Sequence, residues 1–287
     1  MPLGKRVRLN RLLYERGPKN GTLLILPIDQ GLEHGPVDFF PNPASQDPDF
    51  QWRLADEGNY SAVACHYGLA AKYMKRYAGR VPLLLKINGK TNIPSDEDAL
   101  STLTASVEDA VSLGADAVGY TLYVGSPRQD QDIRQLQEVR EACDKWNMPL
   151  VVWSYPRGAA IEAKGGRDSL YAVDYAARVA LEMGADIVKL NIPKHGPKDG
   201  EQPGPYAGLE FTYAEGARRV VESAGRCMVL FSGGSKISDD DLLEKARTAM
   251  EAGATGLIFG RNMWQRPFDE ALAISERVHE ILRGFGA

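Results

Sequence analysis

Eight short apolar runs, each followed by a longer polar or amphipathic stretch, constrain this chain more than any other feature. They fall at Thr22–Ile28, Ser61–Cys65, Leu83–Ile87, Ala117–Leu122, Leu150–Trp153, Ile187–Asn191, Met228–Phe231 and Gly256–Phe259. Most are rich in Val, Ile and Leu without polar alternation, as expected for parallel strands covered on both faces. Helical spacing predicts helices over Asp96–Leu113, Ser169–Met183 and Asp239–Glu251, the last after Ser238, a good N-cap. Three helix exits read alike: Leu113–Gly114–Ala115–Asp116, Met183–Gly184–Ala185–Asp186 and Ala252–Gly253–Ala254–Thr255. In each a glycine ends the helix and a strand follows at once. Eight such units in about 250 residues fit an α/β fold of the (β/α)8 TIM-barrel type. A doubly wound open sheet is the runner-up, weakened because no Gly-x-Gly-x-x-Gly follows the first run. No domain boundary is visible, so residues 1–287 read as a single barrel domain. Met1–Gly21 reads as an N-terminal helical extension that closes the barrel floor. Lys194–Tyr206, rich in Gly, Pro and charge, reads as a long loop after the sixth strand.

Bulk properties narrow the function. The net charge is -4 and the pI about 5.7, so a dedicated nucleic-acid binder is disfavoured. No apolar stretch approaches membrane-spanning length, and the basic Met1–Asn10 is not followed by an apolar signal core. Cys65, Cys143 and Cys227 are far apart and odd in number, which points to a reduced, cytoplasmic setting.

In a barrel the reactive residues stand at the C-terminal ends of the strands. That rule gathers Asp29, His66, Lys86, Asn88, Trp153, Tyr155, Lys189, Ser232–Gly233–Gly234 and Gly260–Arg261 at one mouth. Lys189 interrupts the apolar run Ala185–Asn191, and a lysine held there can lose its proton and become a nucleophile. Lys86 is a candidate second cation to depress its pKa. The bland alternative is a structural ion pair between Lys189 and a carboxylate such as Asp29. Tyr155 is either a proton shuttle or a packed rim aromatic. Asp29 is either an acid/base, a lysine or hydroxyl partner, or a turn former. Trp153 shapes the pocket. The glycine-rich turn at Ser232–Gly233–Gly234 and the Gly260–Arg261 pair suit a phosphate, which the loops after strands seven and eight commonly hold. His34, His66 and His195 follow strand ends and would be the ligands of a rival metal chemistry, but none has a tight ligand spacing.

These residues resemble the archaeal-type class I fructose-bisphosphate aldolases. The resemblance is carried by Leu26–Pro36, Asn88–Asn92, Trp153–Gly158, Val188–Lys189, Ser232–Gly234 and Gly260–Asn262, nearly the whole chain. It implies a metal-free, cofactor-independent Schiff-base lyase acting on a phosphorylated ketose, with Lys189 as imine lysine, Tyr155 as acid/base and Asp29 as catalytic carboxylate. It implies Trp153, Ser232, Gly233, Gly234, Gly260, Arg261, Lys86 and His34 as substrate-binding residues. It also implies a homo-oligomer, up to a decamer, and no nucleic-acid or membrane partner. The rivals are a related Schiff-base phosphosugar lyase or transferase and, outside enzymes, a sugar-phosphate-binding barrel without catalysis. Contacts from Lys194, His195, Lys198 or Glu201 stay open, because this loop departs from the pattern. Phe39, Phe40, Phe50 and Trp52 either form an interface or, as we expect, pack the first loop onto the barrel.

Overall fold

A computed structural model of the chain describes residues 1–194 and 202–286. Eight parallel strands close into a barrel: β1 (Leu23–Pro27), β2 (Ala62–His66), β3 (Leu83–Lys86), β4 (Ala117–Val124), β5 (Leu150–Pro156), β6 (Ile187–Leu190), β7 (Met228–Ser232) and β8 (Gly256–Ile258). Each pairs with the next, and β8 pairs with β1. The open-sheet alternative is therefore set aside. Helices including Gln129–Trp146, Leu170–Glu182, Tyr213–Ala224, Asp239–Glu251 and Phe268–Arg283 surround the strands. No helix among the described residues is long and apolar enough to cross a membrane.

The strands read as unbroken apolar runs because each builds two cores. One set of side chains, among them Leu24, Leu26, Val63, Leu85, Val118, Val152, Val188 and Phe231, packs outward against the helices. The alternate set, among them Ile25, Ala64, Leu84, Ala117, Val151, Ile187, Leu230 and Ile258, fills the barrel. Leu9 and Leu12 of the N-terminal helix join this inner core. The extension is thus the plug of the barrel floor, as expected. The helix exits explain its anchorage. Gly114 and Gly184 take the left-handed φ that ends their helices, at 69° and 87°, and Asp116 and Asp186 follow at the strand entrances. Arg11 reaches Asp116 at 2.9 Å, and Lys5 reaches Asp186 at 3.0 Å and Asp144 at 3.1 Å.

One expected helix is corrected. Asp96–Leu113 is not helical throughout; the helix is only Val107–Ser112. Ser106 and Asp109 form a capping box that starts it there. The segment before it crosses the barrel top, where Thr102–Leu103 pairs antiparallel with Asn88–Gly89. Buried polar groups hold it: Asn88 Nδ2 donates to the Ser101 carbonyl and Ser126 Oγ to the Ala99 carbonyl. Apolar spacing looks the same in such a strap as in a helix. β4 and β5 also run further than expected, because Tyr123–Val124 pairs with Tyr155–Pro156. Phe39, Phe50 and Trp52 pack inward as expected, against Trp264, Phe268 and Tyr77, whereas Phe40 stays exposed.

Candidate active site

Strand parity selects the mouth. In register, His66 stands beside Lys86, Lys86 beside Gly119, and Trp153 beside Lys189. Lys86, Trp153, Lys189 and Ser232 continue the inward set by one more step of two residues. Their lower neighbours on that face, Leu84, Val151, Ile187 and Leu230, are apolar, so the inner face turns polar only at its top layer.

Lys189 is buried yet makes no ion pair with any described residue. Its ammonium lies 5.2 Å from the Trp153 ring centroid and 5.5 Å from that of Tyr155. Burial pulls its pKa down to about 8; Asp29 opposes this and Lys86 adds to it. The structural pairing of Lys189 with Asp29 does not occur, because Lys86 takes that carboxylate at 3.2 Å. Lys86 also meets Glu33 at 2.5 Å. Burial alone would lower the Lys86 pKa, but Glu33 and Asp29 carry it above its ordinary value. Burial would likewise raise Asp29, but Lys86 and Lys189 hold it ionised, well below the usual carboxylate range. Lys86 is fully buried and faces these two carboxylates. Its ammonium also sits 4.9 Å from the Trp153 ring, so one indole carries both lysines.

Tyr155 stands inward on β5. Burial and the nearby Glu33 and Asp29 push its phenol upward, so it enters the site protonated. Trp153 is fully buried. Gly119 makes this possible: a Cβ there would stand 2.8 Å from Trp153 Cζ3 and 3.3 Å from Lys86 Cδ.

The second half of the mouth is the glycine cradle. Ser232 Oγ donates to Asn191 Oδ1 at 2.6 Å. Gly234 has φ 73°, which a side chain would strain, and a Cβ on Gly233 would stand 2.9 Å from Asn262 Nδ2. Arg261 follows Gly260 at the start of the short helix Arg261–Trp264 and is close enough to lower the Lys189 pKa. His34 is hydrogen-bonded to Asp38 at 2.7 Å, and Arg261 approaches the same carboxylate at 3.9 Å. The structure thus joins His34 to the cradle through Asp38, which sequence reading missed. Glu33 was missed too, although it lies one helical turn from Asp29. Gly119 is a strand glycine, which can mark a bulge, a bend or a close approach alike, so the sequence does not single out its contact with Trp153.

Of the three histidines that a metal would need, His34 and His66 are described. His34 is hydrogen-bonded to Asp38, and burial and Lys86 lower the His66 pKa to about 4. His195, Lys198 and Glu201 lie outside the described residues. Among the described residues no three His, Cys, Asp or Glu side chains gather as metal ligands. Lys194 is an exposed partner of Asp168 at 2.6 Å.

Residues 23–266 match the DeoC/LacD family of aldolases. The class 1 fructose-bisphosphate aldolase of Thermoproteus tenax is 40% identical over 267 residues, 93% of this chain and 91% of that protein. That of Halobacterium salinarum is 41% identical over 255 residues, 88% of this chain and 89% of that protein. An archaeal fructose-1,6-bisphosphate aldolase, solved with its catalytic lysine bound covalently to the carbinolamine intermediate of the substrate, superposes with a TM-score of 0.82. It shares 37% identity and covers 96% of this chain and 100% of its own. The aldolase of Slackia heliotrinireducens gives a TM-score of 0.85 at 27% identity, covering 99% and 88%. The chain belongs to the DeoC/LacD aldolase family and, within it, to the archaeal-type class 1 fructose-bisphosphate aldolases.

Proposed function

We propose that this protein is a Schiff-base fructose-1,6-bisphosphate aldolase in which Lys189 forms the imine. The observation that carries this is a buried, inward lysine without an ion pair to any described residue, with a lowered pKa, beside a cradle fit for phosphate. The Lys189 amine adds to the C2 ketone of the open-chain sugar. Proton transfer to the new hydroxyl and loss of water leave a protonated imine, which serves as electron sink. The C4 hydroxyl gives up its proton to a base, the C3–C4 bond breaks, and glyceraldehyde 3-phosphate leaves. The enamine takes a proton at C3, for which the high-pKa phenol of Tyr155 is the donor. Water then hydrolyses the imine, releasing dihydroxyacetone phosphate and the free amine. Asp29, ionised next to two lysines, stabilises the cationic imine.

One substrate phosphate rests on Ser232, Gly233, Gly234, Gly260 and Arg261, with His34 beside it. For the other we assign the rim cluster in which Lys90, Arg157 and Arg167 share the single carboxylate of Asp96, at 2.9, 2.9 and 3.3 Å. That cluster carries two positive charges in excess, and the Arg157 guanidinium lies 5.3 Å from the Tyr155 ring. Anchoring both ends fixes the ketone beside the lysine and removes much of the entropic barrier. Three buried free cysteines are in keeping with a cytoplasmic setting, and we expect a homo-oligomer in solution. The test is Lys189→Met in the cleavage assay. The variant should keep its circular dichroism and lose at least about 1,000-fold in kcat; a folded variant with wild-type turnover refutes the proposal.

A further inference from the structure

One half-buried cation has no part in the chemistry above. Lys245 lies in the second turn of the helix Asp239–Glu251, which follows the glycine cradle. Helical side chains lean toward their own N-terminus. Its ammonium accordingly reaches back and donates to the Gly233 carbonyl at 3.2 Å. The Asn262 amide donates to the same oxygen at 3.4 Å. A Cβ on Gly234 would stand 3.9 Å from the Lys245 ammonium, so the lysine lies against both glycines. In a trans peptide the C=O of one residue and the N–H of the next point in opposite directions. Fixing the Gly233 carbonyl toward Lys245 and Asn262 therefore turns the Gly234 N–H the other way. That N–H finds no acceptor among the described residues.

The geometry points to Lys245 as a positioning residue of the phosphate cradle: it anchors the Gly233–Gly234 peptide so that the Gly234 N–H faces the substrate phosphate, and it sets a positive charge behind the loop. This rests on the proposed placement of a phosphate at that loop. Among the described residues, the charged groups facing Lys245 are Lys194 after β6 and Asp168 from the connection between β5 and β6. Burial first, then Lys194, pull its pKa down to about 8, with Asp168 opposing. An arriving dianion would stabilise the ammonium.

Inorganic phosphate as an inhibitor of cleavage reads the cradle without involving the imine. In the wild-type protein its inhibition constant should rise as pH climbs through about 8, where the ammonium is lost. Lys245→Arg keeps its charge at every working pH and should remove that rise. Lys245→Met should bind phosphate about tenfold more weakly and show no rise through that range. Wild-type inhibition in Lys245→Met overturns the assignment. So does a pH-dependent rise that persists in Lys245→Arg, since that rise would belong to Lys189. Arg261→Ala separates the two levels. If it weakens inhibition while Lys245→Met does not, Lys245 alone is rejected; if neither weakens it, the phosphate placement itself fails.

Discussion

At the scale of single residues, two lysines on one indole take opposite roles because their partners differ. Lys86 is bracketed by two carboxylates and stays charged; Lys189 has none within ion-pair reach among the described residues and is poised to lose its proton. The difference predicts a pH signature. Lys189 has its pKa lowered, so the reactive amine appears as pH rises through about 8, and kcat/KM should climb across that range. Lys86→Met leaves Asp29 and Glu33 without their cation, and both then act on Lys189 to favour its ammonium. The rising limb should move to higher pH, with a loss of about 10- to 100-fold near neutrality, measured in a pH–rate profile. A limb that stays in place would show that Lys86 does not tune Lys189.

At the scale of elements, the same parity rule builds the inner core and the site. Gly119 on β4 is where they meet, since its missing side chain lets Trp153 lie beneath both lysines. Gly119→Ala should destabilise the fold by about 1–3 kcal/mol in a denaturant titration. It should also lower kcat more than KM, because the indole must shift. The N-terminal helix acts at the other end. Leu12 is buried in the inner core, so Leu12→Ala should cost about 2–5 kcal/mol while leaving the pH–rate profile unmoved. The strands and the mouth-facing lysine, tyrosine and glycine loops were legible in the sequence because apolar runs end where chemistry begins. The inward and outward parity was not legible, since both faces of each run are apolar until the last layer. Nor were Glu33, Asp38 and Lys245 legible. Each acts through a contact made in space, Glu33 on Lys86 and Lys245 on a loop carbonyl, and an exposed-looking helix position gives no hint of it. The strap over residues 96–106 was misread because alanine and leucine spacing does not reveal the capping box that delays the helix to Val107.

At the scale of the whole molecule, the barrel divides labour between its ends. The floor is closed by a helix whose Lys5 and Arg11 grip carboxylates at the strand entrances. The mouth carries Lys189 in the middle, with the glycine cradle and the Lys90–Arg157–Arg167 cluster as the two anion holders we propose at its rim. Only a ligand with an electrophilic carbon and an anion at each end uses all three parts. Reduction with borohydride in the presence of fructose 1,6-bisphosphate, followed by peptide mass mapping, tests this most directly. The account predicts a stable adduct on the peptide carrying Lys189, formed equally well with a chelator present. An adduct on Lys86 or Lys245, or no adduct during active turnover, would contradict it.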